Sequence, residues 1–467
     1  MEQKIIIVGA GLTGSLLSIF LARRGFHVEV FERRPDMRTT NISAGKSINL
    51  AISTRGIHAL QQVGLDKAVL EKAIAMKGRL IHSLTGELNF QPYSKNENEY
   101  INSISRRELN ILLMNEAEKF PNLKIHFQQR CTGINLQNAE TGTQSEVYFT
   151  DEHTGEKMKI TGATVIGTDG SASAIRMEFL KSGFFNFSQQ YEDYGYKELT
   201  IPAAANGSFR IEKNALHIWP RGAYMMIALP NIEGDFTCTL FMSHTKGEKN
   251  LSALNTKEKV LRFFEEVMPD AVPNMPGLLD DYFSNPIGNL LTIKSYPWNI
   301  GGKALLMGDA AHAIVPFFGQ GMNCGFEDCY YFDTLLDKHG SDWEKVFAEF
   351  SYLRKENADA IADLAVENFV EMRDLVAHKD FMLKKKAEVL LEERYPDSFI
   401  SKYAMVSFHR IPYSVAMKRG QIQDKVLMNL CSTIDSIDEL NIETAFQSIK
   451  EEFAKAGIAE QLALETV

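Results

Sequence analysis

The chain of 467 residues is short of cysteine, of basic charge and of long apolar runs. Its five cysteines (Cys131, Cys238, Cys324, Cys329, Cys431) are odd in number and irregular in spacing. That excludes a disulfide framework and suits a reducing compartment. Fifty basic residues face sixty acidic ones, and the net charge of −10 excludes the positive field that nucleic acid or an anionic membrane needs. The eleven histidines show no H-E-x-x-H or other metal spacing, and Cys324 and Cys329 have no sequence partners, so no metal is expected. No G-x-S-x-G elbow is present. What remains is ordinary: 45% apolar and 24% charged residues exclude disorder and low complexity. The length suggests about three domains of ~150 residues.

The longest uncharged run, Ile5 to Ala22, borders on the length of a membrane span or a signal h-region. Its interior favours another reading. Ile5-Ile6-Ile7-Val8 is a β-branched block that suits a buried parallel strand, and Gly9, Gly11 and Gly14 punctuate the next segment. A helix then leads to a second strand at Val28 to Glu32, which completes a βαβ unit. The spacing predicts amphipathic helices over 56–76 and 106–119, with Ser105 and Glu108 forming a capping box. Short strands are expected at Lys124 to Phe127, Ala163 to Gly167 and Lys303 to Met307. Between about 200 and 245 alternation with Gly/Pro turns predicts an antiparallel sheet. From about 343 the chain reads as helical, and Lys384-Lys385-Lys386 as a solvated helix face.

Gly9-Ala10-Gly11-Leu12-Thr13-Gly14 matches G-x-G-x-x-G between strand and helix. The first glycine permits the turn, the second lets backbone approach a pyrophosphate, and the third lets helix pack on strand. The helix N-terminus offers N–H groups and a positive dipole end. Glu32 is read as an acceptor for ribose hydroxyls, or else as a surface strand end. Two further turns come after strands: Gly167-Thr168-Asp169-Gly170 and Gly308-Asp309-Ala310-Ala311-His312. The second of these runs on through Pro316-Phe317-Phe318-Gly319-Gln320-Gly321-Met322-Asn323.

The order G-x-G-x-x-G, D-G, G-D resembles the single-component FAD-dependent aromatic hydroxylases. That resemblance implies an α/β (α+β overall) fold: a Rossmann-like FAD domain, an inserted, mostly antiparallel substrate sheet and a helical C-terminal region. The boundaries read as 1–75, 100–180 and 286–342 for the FAD domain, 76–99 and 181–285 for the sheet, and 343–467 for the helices. It also implies FAD contacts at Thr13, Phe31, Glu32, Arg33, Arg34, Ala51, Arg106, Cys131, Asp169, Asp309, Gly321, Met322 and Asn323, beside Gly9, Gly11 and Gly14. Arg107 competes with Arg106, and the S-R-x-x-L pattern favours Arg106. No second dinucleotide fingerprint exists, consistent with a nicotinamide cofactor that binds transiently.

Five strings narrow the resemblance to the branch of the family that hydroxylates L-kynurenine: 45–51, 216–221, 225–230, 236–242 and the G-D segment through Asp328. Met225, Ile227 and Leu229 alternate and share one sheet face. On residues alone they are core; the resemblance makes them, with Leu216, Phe241, Pro316 and Phe317, the aromatic-ring pocket. It also implies that Arg79, Tyr93 and Tyr403 hold the substrate carboxylate, and that Asn368 and Met372, at i and i+4, lie near the amino group. No catalytic side chain is expected, because the flavin does the chemistry. His312 is read as structural, with a general base as the alternative. The implied reaction takes L-kynurenine, NADPH and O₂ to 3-hydroxykynurenine through a C4a-hydroperoxide of FAD, in tryptophan catabolism and pyridine nucleotide synthesis. The nearest rival is a flavin hydroxylase of another aromatic acid. Eukaryotic members carry a C-terminal membrane anchor, whereas Ile434 to Val467 is polar and amphipathic. A soluble, cytoplasmic, bacterial-type enzyme is therefore expected. The helical tail is read as capping the pocket, mediating a homodimer, or both.

Overall fold

The computed structural model describes residues 3–39, 49–136, 145–376 and 378–459. The chain forms two compact units, residues 1–72, 104–192 and 291–362, and residues 73–103, 193–290 and 363–467.

In the first unit the apolar run becomes a strand, Lys4–Val8, and a helix, Leu12–Arg23. Every residue from Leu12 to Ala22 except Thr13 is buried, which explains an apolar composition without a bilayer. Among the described residues no helix is long and apolar enough to cross a membrane. Six strands order as Asn299–Ile300, Ala304–Leu306, Thr164–Gly167, Lys4–Val8, His27–Phe31 and Leu123–His126. The inner pairings are parallel, with Ile5 opposite Val28 on one side and Thr164 on the other. A three-stranded antiparallel sheet, Gln129–Asn135, Ser145–Asp151 and Lys157–Gly162, accompanies it. The sequence pattern does not reveal that sheet.

The single helix expected over 56–76 is two helices, Thr54–Gln62 and Asp66–Leu70, and then a strand, Ile74–Met76. Gly64, at φ +75°, turns the chain left-handed between the helices and ends the first. The helix Arg106–Ala117 forms as expected. Ser105 Oγ accepts from Glu108 N at 3.4 Å, while the Glu108 carboxylate faces Arg107 at 3.2 Å.

In the second unit five neighbouring strands of a seven-stranded, mostly antiparallel sheet order as Phe236–Ser243, Tyr224–Pro230, Leu216–Pro220, Gly78–His82 and Leu88–Pro92, with Leu216–Pro220 and Gly78–His82 parallel. One face packs Trp219, Met226, Cys238, Leu240 and Met242 on Phe263 and Phe264 of the helix Lys257–Val267. The opposite face is set by register. Leu216 pairs with Arg79, Ile218 with Ile227, and Met225 with Phe241. Alternation then places Leu216, Met225, Ile227, Leu229, Phe241 and Arg79 on this one front face.

Lys384 corrects the solvated-face reading. It is 2% exposed and reaches Glu388 at 2.9 Å and Asp424. Three adjacent lysines on a helix point in three directions, so a charge run cannot all share the solvent side.

Candidate functional site

The three fingerprint glycines divide their work by what surrounds them. Gly9 lies at φ +104°, and a Cβ there would meet Thr168 O at 2.6 Å. A Cβ at Gly14 would meet Gly9 O at 2.0 Å, so helix and turn touch through backbone. A Cβ at Gly11 would meet nothing within 4 Å, because Gly11 faces a cavity of about 480 Å³.

That cavity lies wholly within the first unit. Its walls include Gly9, Gly11, Thr13, Phe31, Glu32, Arg33, Arg34, Ala51, Arg106, Cys131, Asp169, Asp309, Gly321 and Met322. Gly14 stands behind the turn, outside the lining. Arg106 lines the cavity, whereas Arg107 donates to Met37 O at 2.7 Å and lies outside it. Asn323 is also outside. It is fully buried, accepts from Ser53 N at 2.9 Å, and donates to the carbonyls of Ala51 and Gly319, each at 2.8 Å. It therefore clamps two wall segments together.

Sequence reasoning missed Asn49, Leu50, Gln129, Arg130 and Ile314, which also line the cavity. Gln129 and Arg130 sit on the unforeseen three-stranded sheet, so no signal near the fingerprint marked them. The motif at 45–51 is described only from Asn49 onward; Gly45 to Ile48 lie outside the described residues.

The donors and acceptors of the cavity fit FAD. Glu32 Oε2 accepts from Ala10 N at 3.0 Å and Oε1 from Arg34 N at 2.9 Å, which fixes the carboxylate at the strand end. Asp169 Oδ2 accepts from Ala174 N at 2.7 Å, while Oδ1 is buried with no hydrogen-bond partner among the described residues. Burial pushes the Asp169 carboxyl above its ordinary pKa. An acceptor left over in a cavity wall suits a donor from a bound group. Arg106 and the N–H groups opening the helix Leu12–Arg23 suit a pyrophosphate. Pro316 lines the cavity, and Phe317 is buried in the same 3₁₀ turn, Pro316–Phe318.

Cys131 lies in the wall as an acid, not as a thiolate. Burial pushes its pKa up to about 12. Cys131→Ser is therefore expected to keep bound flavin and to leave the activity profile between roughly pH 6 and 9 unchanged. A titration limb lost from that profile in the variant would show that the thiol takes part.

His312 is buried, with Nε2 at 2.6 Å from Asp328 Oδ2. Burial opposes its protonation, but the Asp328 carboxylate holds the proton and raises the pKa well above the ordinary value. A protonated imidazole is no general base. Spacing in sequence concealed a cluster here: His312, Cys324 and Asp328 place one possible ligand atom each within 4.8 Å of one another. Arg354 Nε lies 2.7 Å from Asp328 Oδ1, so a guanidinium already supplies the cationic charge such a cluster would attract.

The second unit gathers another constellation. Arg79 is 5% exposed and lies 3.2 Å from Glu371 Oε1. Its Cζ is 5.1 Å from the Tyr403 ring and 5.9 Å from the Tyr93 ring, and those rings stack at 5.0 Å. Burial works against both charges of the pair. Lys385, Arg79, Lys384 and Lys402 nevertheless hold the Glu371 carboxyl well below the usual range, and Glu371 keeps Arg79 cationic. Arg79 Nε is buried without a hydrogen bond among the described residues, and the Tyr93 hydroxyl is buried beside Arg79 and Tyr403. Asn368 and Met372 meet as their spacing requires, with Nδ2 3.4 Å from Sδ. Met372 and Glu371 lie in a π-helical turn, Glu371–Leu375, a distortion frequent at functional sites. Glu371 was missed by sequence reasoning. A lone glutamate in a helical stretch carries no mark of burial.

A family model described as an FAD binding domain matches residues 2–253 and 293–347, more than half of the chain. The chain is 49% identical over 449 residues to the kynurenine 3-monooxygenase of Myxococcus xanthus, covering 96% of this chain and 95% of that protein. It is 44% identical over 464 residues to that of Dictyostelium discoideum, covering 96% and 98%. In fold it resembles p-nitrophenol 4-monooxygenase from Pseudomonas putida, with TM-score 0.65, 16% identity, and 85% and 94% of the two chains covered. The chain accordingly belongs to the kynurenine 3-monooxygenase family of FAD-binding aromatic hydroxylases.

Proposed function

We propose that this chain hydroxylates L-kynurenine to 3-hydroxykynurenine with NADPH and O₂, and that FAD binds in the first unit's cavity. The single observation that supports the substrate class best is Arg79. A buried guanidinium whose Nε makes no hydrogen bond among the described residues, beside two stacked tyrosines, fits the carboxylate of an amino acid.

Bound FAD, reduced by NADPH, supplies the oxygen-activating redox chemistry. The side chains bind, orient and keep out water. Arg79 and Tyr93 take the substrate carboxylate, and Tyr403 stacks over Tyr93 to fix it. Asn368 and Met372 take the amino-acid backbone end. Leu216, Met225, Ile227, Leu229 and Phe241 form the apolar face for the aromatic ring. Pro316 and Phe317 exclude water from the cofactor side. The ring amine of kynurenine donates electron density to its ortho carbon, so no side chain needs to remove a substrate proton. The C-terminal helices are assigned either to covering this site or to a homodimer contact.

The test is an assay on purified protein carrying its flavin spectrum. L-Kynurenine is expected to accelerate NADPH oxidation and to yield a product one oxygen atom heavier. An unchanged NADPH rate with no hydroxylated product would sink the proposal. Faster oxidation with a different aromatic acid would redirect it to that substrate.

A further inference from the structure

Arg79 Nε and Thr239 Oγ1 are buried on the front face of the sheet, and neither makes a hydrogen bond among the described residues. Arg79 belongs to the carboxylate end. Thr239 does not. It is fully buried in the strand Phe236–Ser243. Its register partners are Ile227 on one side and Glu198 on the other. Ile227 pairs with Ile218, and Ile218 with Ile81. Across four strands the row therefore reads Ile81, Ile218, Ile227, Thr239: three isoleucines and one hydroxyl.

A buried hydroxyl without a partner carries a desolvation penalty that valine, of the same shape and the same fitness for a strand, does not. The neighbouring Thr237 differs, since its Oγ1 accepts from Asn231 Nδ2 at 3.1 Å. Thr239 Oγ1 is thus a buried acceptor without a donor among the described residues, between Ile227 and Glu198 in its row. Its strand lies three strand spacings from that of Arg79, roughly 14 Å. An arginine side chain and one extended aryl amino acid together bridge such a span.

We propose that Thr239 is a specificity-determining residue whose hydroxyl accepts a hydrogen bond from the ring amine of the aryl amino-acid substrate. The inference rests on the functional reading above. In an ortho-amino aryl ketone one amine N–H bonds to the ketone of the same molecule, and the other points outward and needs an acceptor in a dry pocket. Accepting that N–H fixes the ring about its long axis. It also favours donation of the nitrogen lone pair into the ring, toward the ortho carbon that gains oxygen. A buried polar group left unpaired by the wrong ligand is a strong basis for discrimination.

The test uses the full-length FAD-loaded protein and two ligands, L-kynurenine and benzoylalanine, which has the same skeleton without the ring amine. Binding is read from the perturbation of flavin absorbance. Thr239→Val is expected to weaken kynurenine about tenfold, ~1.4 kcal/mol, and to leave benzoylalanine within about twofold. Thr239→Ser, which keeps the hydroxyl, is expected to restore kynurenine affinity. Equal weakening of both ligands by valine would reduce Thr239 to packing and overturn the proposal, as would unchanged binding of both. A wild-type protein that fails to respond to kynurenine would instead bring down the functional reading, and this inference with it.

Discussion

Arg79→Met is expected to retain FAD and to lose L-kynurenine affinity by about 10²- to 10³-fold, the usual consequence of truncating one member of a buried, hydrogen-bonded charge pair. FAD should stay because every residue lining its cavity lies in the first unit, whereas Arg79 belongs to the second. The fold should also persist. Glu371 loses its guanidinium but keeps the favourable charges of Lys385, Lys384 and Lys402. Arg79→Lys separates charge from geometry. A lysine restores the positive charge without the planar fork, so an intermediate affinity is expected. Spectral titration of each variant with kynurenine measures both. Wild-type affinity in Arg79→Met would remove this residue from the substrate site.

The second large effect belongs to the fingerprint, where Gly14→Ala should give a colourless protein with a lowered Tm. The added Cβ would stand 2.0 Å from Gly9 O and 2.5 Å from Thr168 Oγ1. Neither neighbour is free to retreat. Thr168 N donates to Val8 O at 2.8 Å, and Thr168 Oγ1 donates to Gly9 O at 2.8 Å. Overpacking of this kind costs about 1–3 kcal/mol even where a core yields, and backbone yields less than a side chain. Gly11→Ala is the matched contrast. Its Cβ meets no protein atom within 4 Å and enters the cavity instead. That variant should lose FAD and still melt at the temperature of the FAD-free wild-type protein. The ratio of flavin absorbance to protein absorbance, with a melting curve, reads both. A yellow Gly14→Ala protein with an unchanged Tm would refute the close-packing role.

The contrast between these glycines shows what was legible. The strand, turn and helix around Gly9 to Gly14 read correctly from sequence because each requirement lies within a few residues of the next. The alternation of Met225, Ile227 and Leu229 was legible for the same reason, since strand period alone puts them on one face. Leu216 and Phe241 joined that face only through pairing with neighbouring strands. The helix expected over 56–76 failed at Gly64, where one left-handed residue outweighed a continuing apolar pattern. Asn323 read as a cofactor contact through the family resemblance; in the structure its side-chain amide bonds three backbone partners.

By itself the sequence determined the strand, turn and helix of the cofactor fingerprint and the alternation of Met225, Ile227 and Leu229, which derive from periodicity and local backbone demands, while the fold class and the ring pocket were implied by the family resemblance. Only the tertiary structure decided which charges are buried. Glu371 beneath Arg79, Lys384 against Glu388 and Asp424, and the His312–Asp328–Arg354 chain join residues as many as 292 positions apart. A carboxylate is indifferent in water and strongly coupled in a dry interior. That interior exists only after distant segments have packed, so no local pattern announces it. Thr239 belongs with this group. Its hydroxyl is ordinary on an exposed strand and an unmet acceptor on a buried one.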